Sequence, residues 1–149
     1  MPAGRIWLTG KERQKRAVQN YLWVMIGSAL GGGARYWFSG FVADRIGETF
    51  PWGTLFINVL GSLVIGFFAT LTGPDGRFLV GTTARQFVMV GLCGGYTTFS
   101  SFSLQTLNLA QDGEWFRSGA YIGLSVVLCL IAVWLGHIAA VAFNQMKGA

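Results

Sequence analysis

The segment GGYTTFSSFS, residues 94–103, is the most informative part of this chain, because it places glycines and hydroxyl side chains in the middle of an apolar run. The run covers about residues 85–109, enough for a helix that crosses a bilayer core. Two glycines beside two threonines weaken a helix at mid-membrane, where freed backbone groups need protein, water or an ion as partners. The segment therefore predicts a span that is broken near its middle, with a simple kink as the alternative.

Three further apolar runs predict an all-α integral membrane protein with four transmembrane helices. They cover about residues 21–41, 54–71 and 118–143, so the broken run is the third span. Residues 1–19 remain as a basic tail, and residues 20–149 form the transmembrane domain. The 149-residue chain is only 11% charged, against about 25% for a soluble domain. Trp23, Trp37, Trp52 and Trp115 lie near the predicted span ends, as expected for side chains at a membrane interface.

The net charge of +5 has a local source in the tail, which favours a cytoplasmic N-terminus beside anionic lipid rather than a nucleic-acid partner. An even number of spans puts both chain ends on one side. Lys and Arg on that side number eight, five in the tail and three elsewhere, against Arg45 and Arg117 on the other: Arg5, Lys11, Arg13, Lys15, Arg16, Arg77, Arg85 and Lys147. Four helices rarely enclose a pore, so assembly with a second copy is expected.

All six acidic residues fall in the tail or in predicted loops, and this excludes several functions. They are Glu12, Asp44, Glu48, Asp75, Asp112 and Glu114. Proton-coupled cation antiport needs an intramembrane carboxylate, which this chain lacks. The chain also lacks a paired acid, a Ser/His/Asp set or a metal cluster suited to hydrolysis. We therefore expect a protein that is not an enzyme.

The polar groups inside the spans are neutral or positive, which favours an anion as ligand. Asn58 lies early in the second span, Arg35 and Arg85 lie toward span ends, and hydroxyl side chains crowd the third span. Phe99 and Phe102 are three residues apart and share a helix face, so their positive ring edges can line an anion path. Two alternatives remain open: the polar groups hold helices together, and the phenylalanines are ordinary core.

Three pairs of small residues at four-residue spacing predict close helix–helix contacts. The single histidine, His137, is interpreted as a packing or interfacial residue, and Cys93 and Cys129 as buried reduced thiols. The pairs are Gly27 with Gly31, Ser62 with Gly66, and Gly119 with Gly123.

Three motifs in order resemble the Fluc (CrcB) family of fluoride channels over about residues 21–145. The segment 94–103 resembles the third-helix signature of that family. The segment GTLFINVLG, residues 53–61, with Gly66 beyond it, resembles the second-helix signature, and GGGARY, residues 31–36, resembles the first-helix arginine motif. A chance match of all three motifs in order is improbable, so the resemblance is specific.

The resemblance implies a passive, fluoride-selective channel that lets cytoplasmic fluoride leak out of a bacterial cell through the inner membrane and so lowers its toxicity. It implies an antiparallel, dual-topology homodimer in membrane lipid, with two pores and a central structural Na⁺. Gly94 and Thr97 are then expected to give backbone carbonyls to Na⁺, and Arg35 to lie near the aqueous vestibule. The implied fluoride-binding and pore-lining residues are Asn58, Thr98, Phe99, Ser101, Phe102, Tyr121 and Ser125.

Two features depart from the family pattern. Cys129 continues the face of Tyr121 and Ser125 where the resemblance implies a hydroxyl. The basic tail favours one orientation, whereas antiparallel assembly needs both. A non-conducting membrane-assembly subunit remains the second hypothesis, and a small cation antiporter is disfavoured by the missing intramembrane acid.

Overall fold

The computed structural model describes residues 10–146, and this part of the chain contains helices and no strand. Three long helices and one composite helical segment follow one another along the chain. The elements are α1 (Gly10–Ile46), α2 (Trp52–Leu71), α3 (Thr82–Gln86), a π-helix (Phe87–Cys93), α4 (Gly94–Tyr96), α5 (Phe99–Gln111) and α6 (Trp115–Gln145). Residues 1–9 of the predicted tail, with Arg5, and Lys147 lie outside the described residues.

Within residues 10–146, three helical segments are long and apolar enough to cross a membrane: Trp52–Leu71, Thr82–Gln111 and Trp115–Gln145. They coincide with the predicted second, third and fourth spans and extend each by a few residues. The predicted first span lies inside α1, which is long enough but is not among the three. Five glycines, Arg35 and interfacial aromatic side chains lower its hydropathy.

The first helix begins well before the predicted span, since residues 10–19 of the basic tail continue α1 and are exposed. The hydroxyl of Thr83, in α3, donates a hydrogen bond of 2.6 Å to the side-chain oxygen of Asn20. This contact places Asn20 level with the start of the third span. The helical part of the tail therefore projects about 15 Å beyond that level.

Glycines set the closest helix crossings. A Cβ at Gly27 would lie 2.7 Å from the carbonyl oxygen of Phe87, and one at Gly31 would overlap the carbonyl of Leu92. In α2, a Cβ at Gly66 would overlap the carbonyl of Val133 in α6. Close helix–helix contacts are therefore confirmed at Gly27 and Gly31 of the first predicted pair and at Gly66 of the second.

The third small-residue pair does not. Nothing lies within 4 Å of a Cβ built at Gly119 or Gly123, so the prediction of a close contact there is wrong within the chain. Both glycines are on the exposed side of α6, which instead packs on α2 through a face that includes Tyr121, Ser125 and Gly136.

Large apolar side chains cover the outside of the molecule, which is the reverse of a soluble fold. Leu79, Phe116 and Leu130 are more than 60% exposed, and many other apolar residues are exposed along the spans. A contiguous apolar surface of this kind needs a lipid solvent or a protein partner. Together with the three spanning segments, it identifies a multi-pass membrane protein.

Candidate functional site

The candidate site begins where the helix of the third segment stops. Thr97 has ψ 159° and Thr98 has φ −153° and ψ 114°, so both residues are extended between α4 and α5. The carbonyl of Cys93 accepts from the Thr97 N–H at 2.9 Å and from the Thr97 hydroxyl at 2.9 Å. These two bonds complete the last helical turn, and the extended ψ of Thr97 then turns the following peptide groups away from the axis.

The side chain of Asn58, in α2, pairs with the backbone of Thr98 as a peptide group would. Its Oδ1 accepts from the Thr98 N–H at 2.8 Å, and its Nδ2 donates to the Thr98 carbonyl at 3.0 Å. A carboxamide is a neutral side-chain group that offers a donor and an acceptor side by side in one plane, as this geometry requires. Asn58 therefore satisfies the backbone that the interruption exposes, and one Nδ2 hydrogen remains beyond this pair.

Thr98 also starts the next helix as its N-cap. The Thr98 hydroxyl accepts from the Ser101 N–H at 3.1 Å, which satisfies one of the free donors of the first turn of α5. The same hydroxyl donates to Ser101 Oγ at 3.0 Å and lies 3.2 Å from Ser100 Oγ. The structure thus brings Asn58, Thr98 and Ser101 into one hydrogen-bonded group.

The two phenylalanines have different surroundings. Phe102 is 8% exposed, whereas Phe99 is 78% exposed, and their ring centroids are 5.3 Å apart at an interplanar angle of 50°. Phe102 packs against Tyr121, with centroids 5.1 Å apart. Phe102 is therefore a core ring within the chain, and Phe99 presents most of its surface outward.

Two of the predicted residues of α6 lie on its buried face. Tyr121 is fully buried, and its hydroxyl donates to the side-chain oxygen of Gln105 at 3.0 Å. Ser125 is 6% exposed, and its hydroxyl oxygen is the one buried side-chain polar atom in the described chain without a hydrogen-bond partner. A buried polar atom without a partner is an exception in folded proteins, and a water molecule or an ion can satisfy it.

Sequence analysis missed Gln105, although the chain offered a signal for it. An amide inside an apolar run, three residues after Phe102, needs a partner in a membrane. In the structure, the partner of the Gln105 side chain is the hydroxyl of Tyr121, sixteen residues away in sequence.

Arg35 lies at the interruption of the third segment rather than apart from it. Its guanidinium donates to the Thr97 carbonyl at 3.4 Å, and its side chain is half-buried. Arg85, at the other predicted span end, donates to the carbonyl and the hydroxyl of Thr72, just after α2. Both intramembrane guanidinium groups are thus bound to backbone carbonyls.

The carbonyl groups of Gly94 and Thr97 are suited to a hard cation. In a continuous helix, Gly94 would accept from the N–H of Thr98, but that N–H is directed to Asn58. Thr97 is itself extended, and its carbonyl accepts a hydrogen bond only from Arg35 among the described residues. Carbonyls freed by an interrupted helix are the ligands that bind Na⁺ in membrane proteins, so these two groups fit that ion.

A cavity of about 270 Å³ lies beside the interruption, and its lining includes Asn58, Ser62, Thr97, Thr98 and Phe99. It contains no carboxylate. A larger cavity of about 600 Å³ lies at the end of the helices where α5 joins α6, and it is lined by acidic Glu48, Asp112 and Glu114 together with Arg117. Within residues 10–146, no group of three or more His, Cys, Asp and Glu side chains can hold a metal ion.

This arrangement defines a multi-pass helical membrane protein with a neutral polar site at the extended pair Thr97 and Thr98. The sequence profile described as CrcB-like protein, Camphor Resistance (CrcB), matches residues 22–137. The chain therefore belongs to the CrcB family, and the resemblance seen in its three motifs is confirmed.

The alignments of this chain with curated relatives cover nearly the whole length of each relative. A protein of Methylocella silvestris named Fluoride-specific ion channel FluC is 69% identical over 130 residues, which is 87% of this chain and 99% of the relative. Proteins with the same name from Opitutus terrae and Rhodospirillum rubrum are 64% and 63% identical over 86% and 84% of this chain, and each alignment covers 97% of the relative. These names describe ion channels, so the expectation that the family is not enzymatic is confirmed.

Proposed function

We propose that this chain is a passive, fluoride-selective channel that exports cytoplasmic fluoride down its electrochemical gradient and lowers fluoride toxicity. The observation that carries the proposal is the neutral polar site at the interrupted third segment, where Asn58, Thr98 and Ser101 are linked by hydrogen bonds. Relatives named as fluoride-specific channels support it at up to 69% identity.

The chemistry of the site suits a small anion that must also leave. Fluoride is strongly hydrated, and replacing its water requires several donors. A fixed, unpaired cation would hold it too tightly, because conduction needs sites that are weak and multiple. The free Nδ2 hydrogen of Asn58, the unpaired hydroxyl of Ser125 and ring edges at Phe99 and Phe102 meet this need.

The proposal includes α1 as the first of four spans, in addition to the three segments named above. This helix has 37 residues, about 55 Å, and apolar Leu22, Met25 and Leu30 are exposed on its outside. Its contacts with the π-helix through Gly27 and Gly31 place it against a spanning segment. Its one central charge, Arg35, donates to a carbonyl, which lowers the cost of placing it in a membrane.

The channel is proposed to be an antiparallel, dual-topology homodimer in the bacterial inner membrane, with two pores and a structural Na⁺ at its centre. Gly94 is exposed in the single chain, so its carbonyl is available to an ion shared with a second copy. The extended pair Thr97 and Thr98 is then the functional break of the third span. The chain would then supply Na⁺ with oxygen ligands alone, the backbone carbonyls of Gly94 and Thr97.

Fluoride efflux from liposomes that contain the purified protein tests the function, with chloride efflux as the control. Fast fluoride release with negligible chloride release is expected. Phe102→Ile is expected to lower fluoride release while the protein stays folded, and Leu104→Ile, on the exposed side of the same helix, is the matched control. A well-folded protein without fluoride release would favour the packing subunit instead.

A further inference from the structure

The contact between Arg35 and Thr97 joins two groups that the proposed function treats separately. The guanidinium of Arg35 donates to the same carbonyl that is proposed to bind Na⁺, at 3.4 Å. Arg35 is half-buried and lies inside the helix bundle rather than in free solvent. The positively charged side chain of Arg35 therefore already occupies a position at the proposed Na⁺ site.

We propose that Arg35 is a built-in electrostatic opponent of the bound cation, which weakens Na⁺ binding at Thr97 and remains the donor to that carbonyl when Na⁺ is absent. The inference rests on the proposed Na⁺ site. It assigns to Arg35 a role in setting the cation affinity, in addition to any role near the vestibule.

The electrostatic argument uses only the geometry of the shared carbonyl. An ion on the Thr97 oxygen would share that oxygen with the Arg35 guanidinium, and two unit charges held on one carbonyl repel appreciably at an effective dielectric of about 20. No carboxylate lines the neighbouring cavity to offset that repulsion. A carbonyl oxygen has two lone pairs, so both cations can be accommodated, but each lowers the affinity of the other.

The hydrogen-bond argument points in the same direction. Without Na⁺, the Thr97 carbonyl still has the Arg35 donor, so the extended backbone stays satisfied. If Arg35 is removed, that carbonyl loses this donor, and a bound ion becomes its main partner. Removal of the guanidinium is therefore expected to make the protein both bind Na⁺ more tightly and depend on it more for stability.

Thermal unfolding of the full chain in detergent, measured across Na⁺ concentrations at constant ionic strength with N-methyl-glucamine as replacement, tests the proposal. Arg35→Gln is expected to shift the Na⁺ concentration for half-maximal stabilisation downward by about 10- to 100-fold. Arg45→Gln is the control, since it removes the same charge from the same helix, where Arg45 lies over the ring of Phe41. It is expected to leave the Na⁺ dependence unchanged.

An equal Na⁺ dependence in wild type and Arg35→Gln would overturn the inference, and so would a weaker one in the variant. If Arg35→Gln unfolds at every Na⁺ concentration, Arg35→Lys replaces it, because a lysine keeps the charge. Arg35→Lys is expected to retain the weak Na⁺ dependence of the wild type, and a strong dependence would contradict the electrostatic competition. The measurement does not use fluoride flux, so failure of the proposed channel function would be seen separately in the efflux assay.

Discussion

Replacement of Asn58 is the sharpest test of the interrupted segment. In Asn58→Ala, the N–H and the carbonyl of Thr98 both lose their partners, at 2.8 and 3.0 Å. An unsatisfied buried polar group costs about 1–3 kcal/mol, so the two together are expected to destabilise the segment by about 2–6 kcal/mol. Asn58→Asp keeps an acceptor for the N–H but removes the donor to the carbonyl, so it separates the two bonds.

Hydrogen–deuterium exchange of the peptide that contains Thr98 is the direct assay. Loss of the 2.8 Å bond is expected to raise the exchange rate of the Thr98 amide by roughly 5- to 150-fold in Asn58→Ala, from about 1–3 kcal/mol of lost protection. Asn58→Asp is expected to keep most of that protection. Asn108→Ala, at an exposed position of α5, is the matched control and should change nothing at Thr98.

Unchanged Thr98 exchange in Asn58→Ala would refute the reasoning. It would mean that the amide returns to the carbonyl of Gly94 and that the helix continues through Thr97 without help from α2. Fluoride efflux measured on the same sample adds a second reading: loss of flux with normal Thr98 protection would assign Asn58 to the ion rather than to the backbone.

Two further predictions concern packing and the aromatic group. Gly31→Ala is expected to destabilise the protein by about 1–3 kcal/mol, because the added Cβ would overlap the carbonyl of Leu92 in the π-helix. Thermal unfolding in detergent measures this change. Gly33→Ala, at a position that faces open space, is the control and should unfold like the wild type. Tyr121→Phe is expected to cost about 1 kcal/mol through loss of the 3.0 Å bond to Gln105, and an unchanged melting temperature would contradict that bond.

Local composition was enough to predict where the apolar spans lie. The second span was predicted at residues 54–71 and is observed at Trp52–Leu71, because a continuous apolar run bounded by Pro51 and a glycine-rich turn leaves little choice. The basic residues between positions 11 and 16 indicated a tail but gave no sign that the helix would continue back to Gly10. Polar helix formers such as Lys and Gln continue a helix that is already nucleated by the adjacent span.

Contacts between distant residues were beyond local reasoning. Nothing in the composition of residues 87–93 distinguishes the π-helix Phe87–Cys93 from an ordinary apolar helix. It lies where α1 approaches so closely that a Cβ built at Gly91 would be 3.0 Å from the Cα of Gly27. The pairing of Asn58 with Thr98 joins residues 40 apart in sequence. Sequence analysis recognised Asn58 as an unusual intramembrane amide, but the identity of its partner depends on how α2 crosses the third segment.

The charges of the site explain why neutral groups are proposed to carry the anion. Arg35 is the guanidinium closest to the interruption, yet it donates to the carbonyl of Thr97. That hydrogen bond fixes the guanidinium on the backbone, and Arg35 is not among the residues that line the cavity beside Asn58, so its donors are not directed at that cavity. Asn58 and Ser125 keep uncharged donors that bind more weakly. The charged side chain of Arg35 thus satisfies the backbone carbonyl of Thr97, and the uncharged donors of Asn58 and Ser125 remain for the proposed anion.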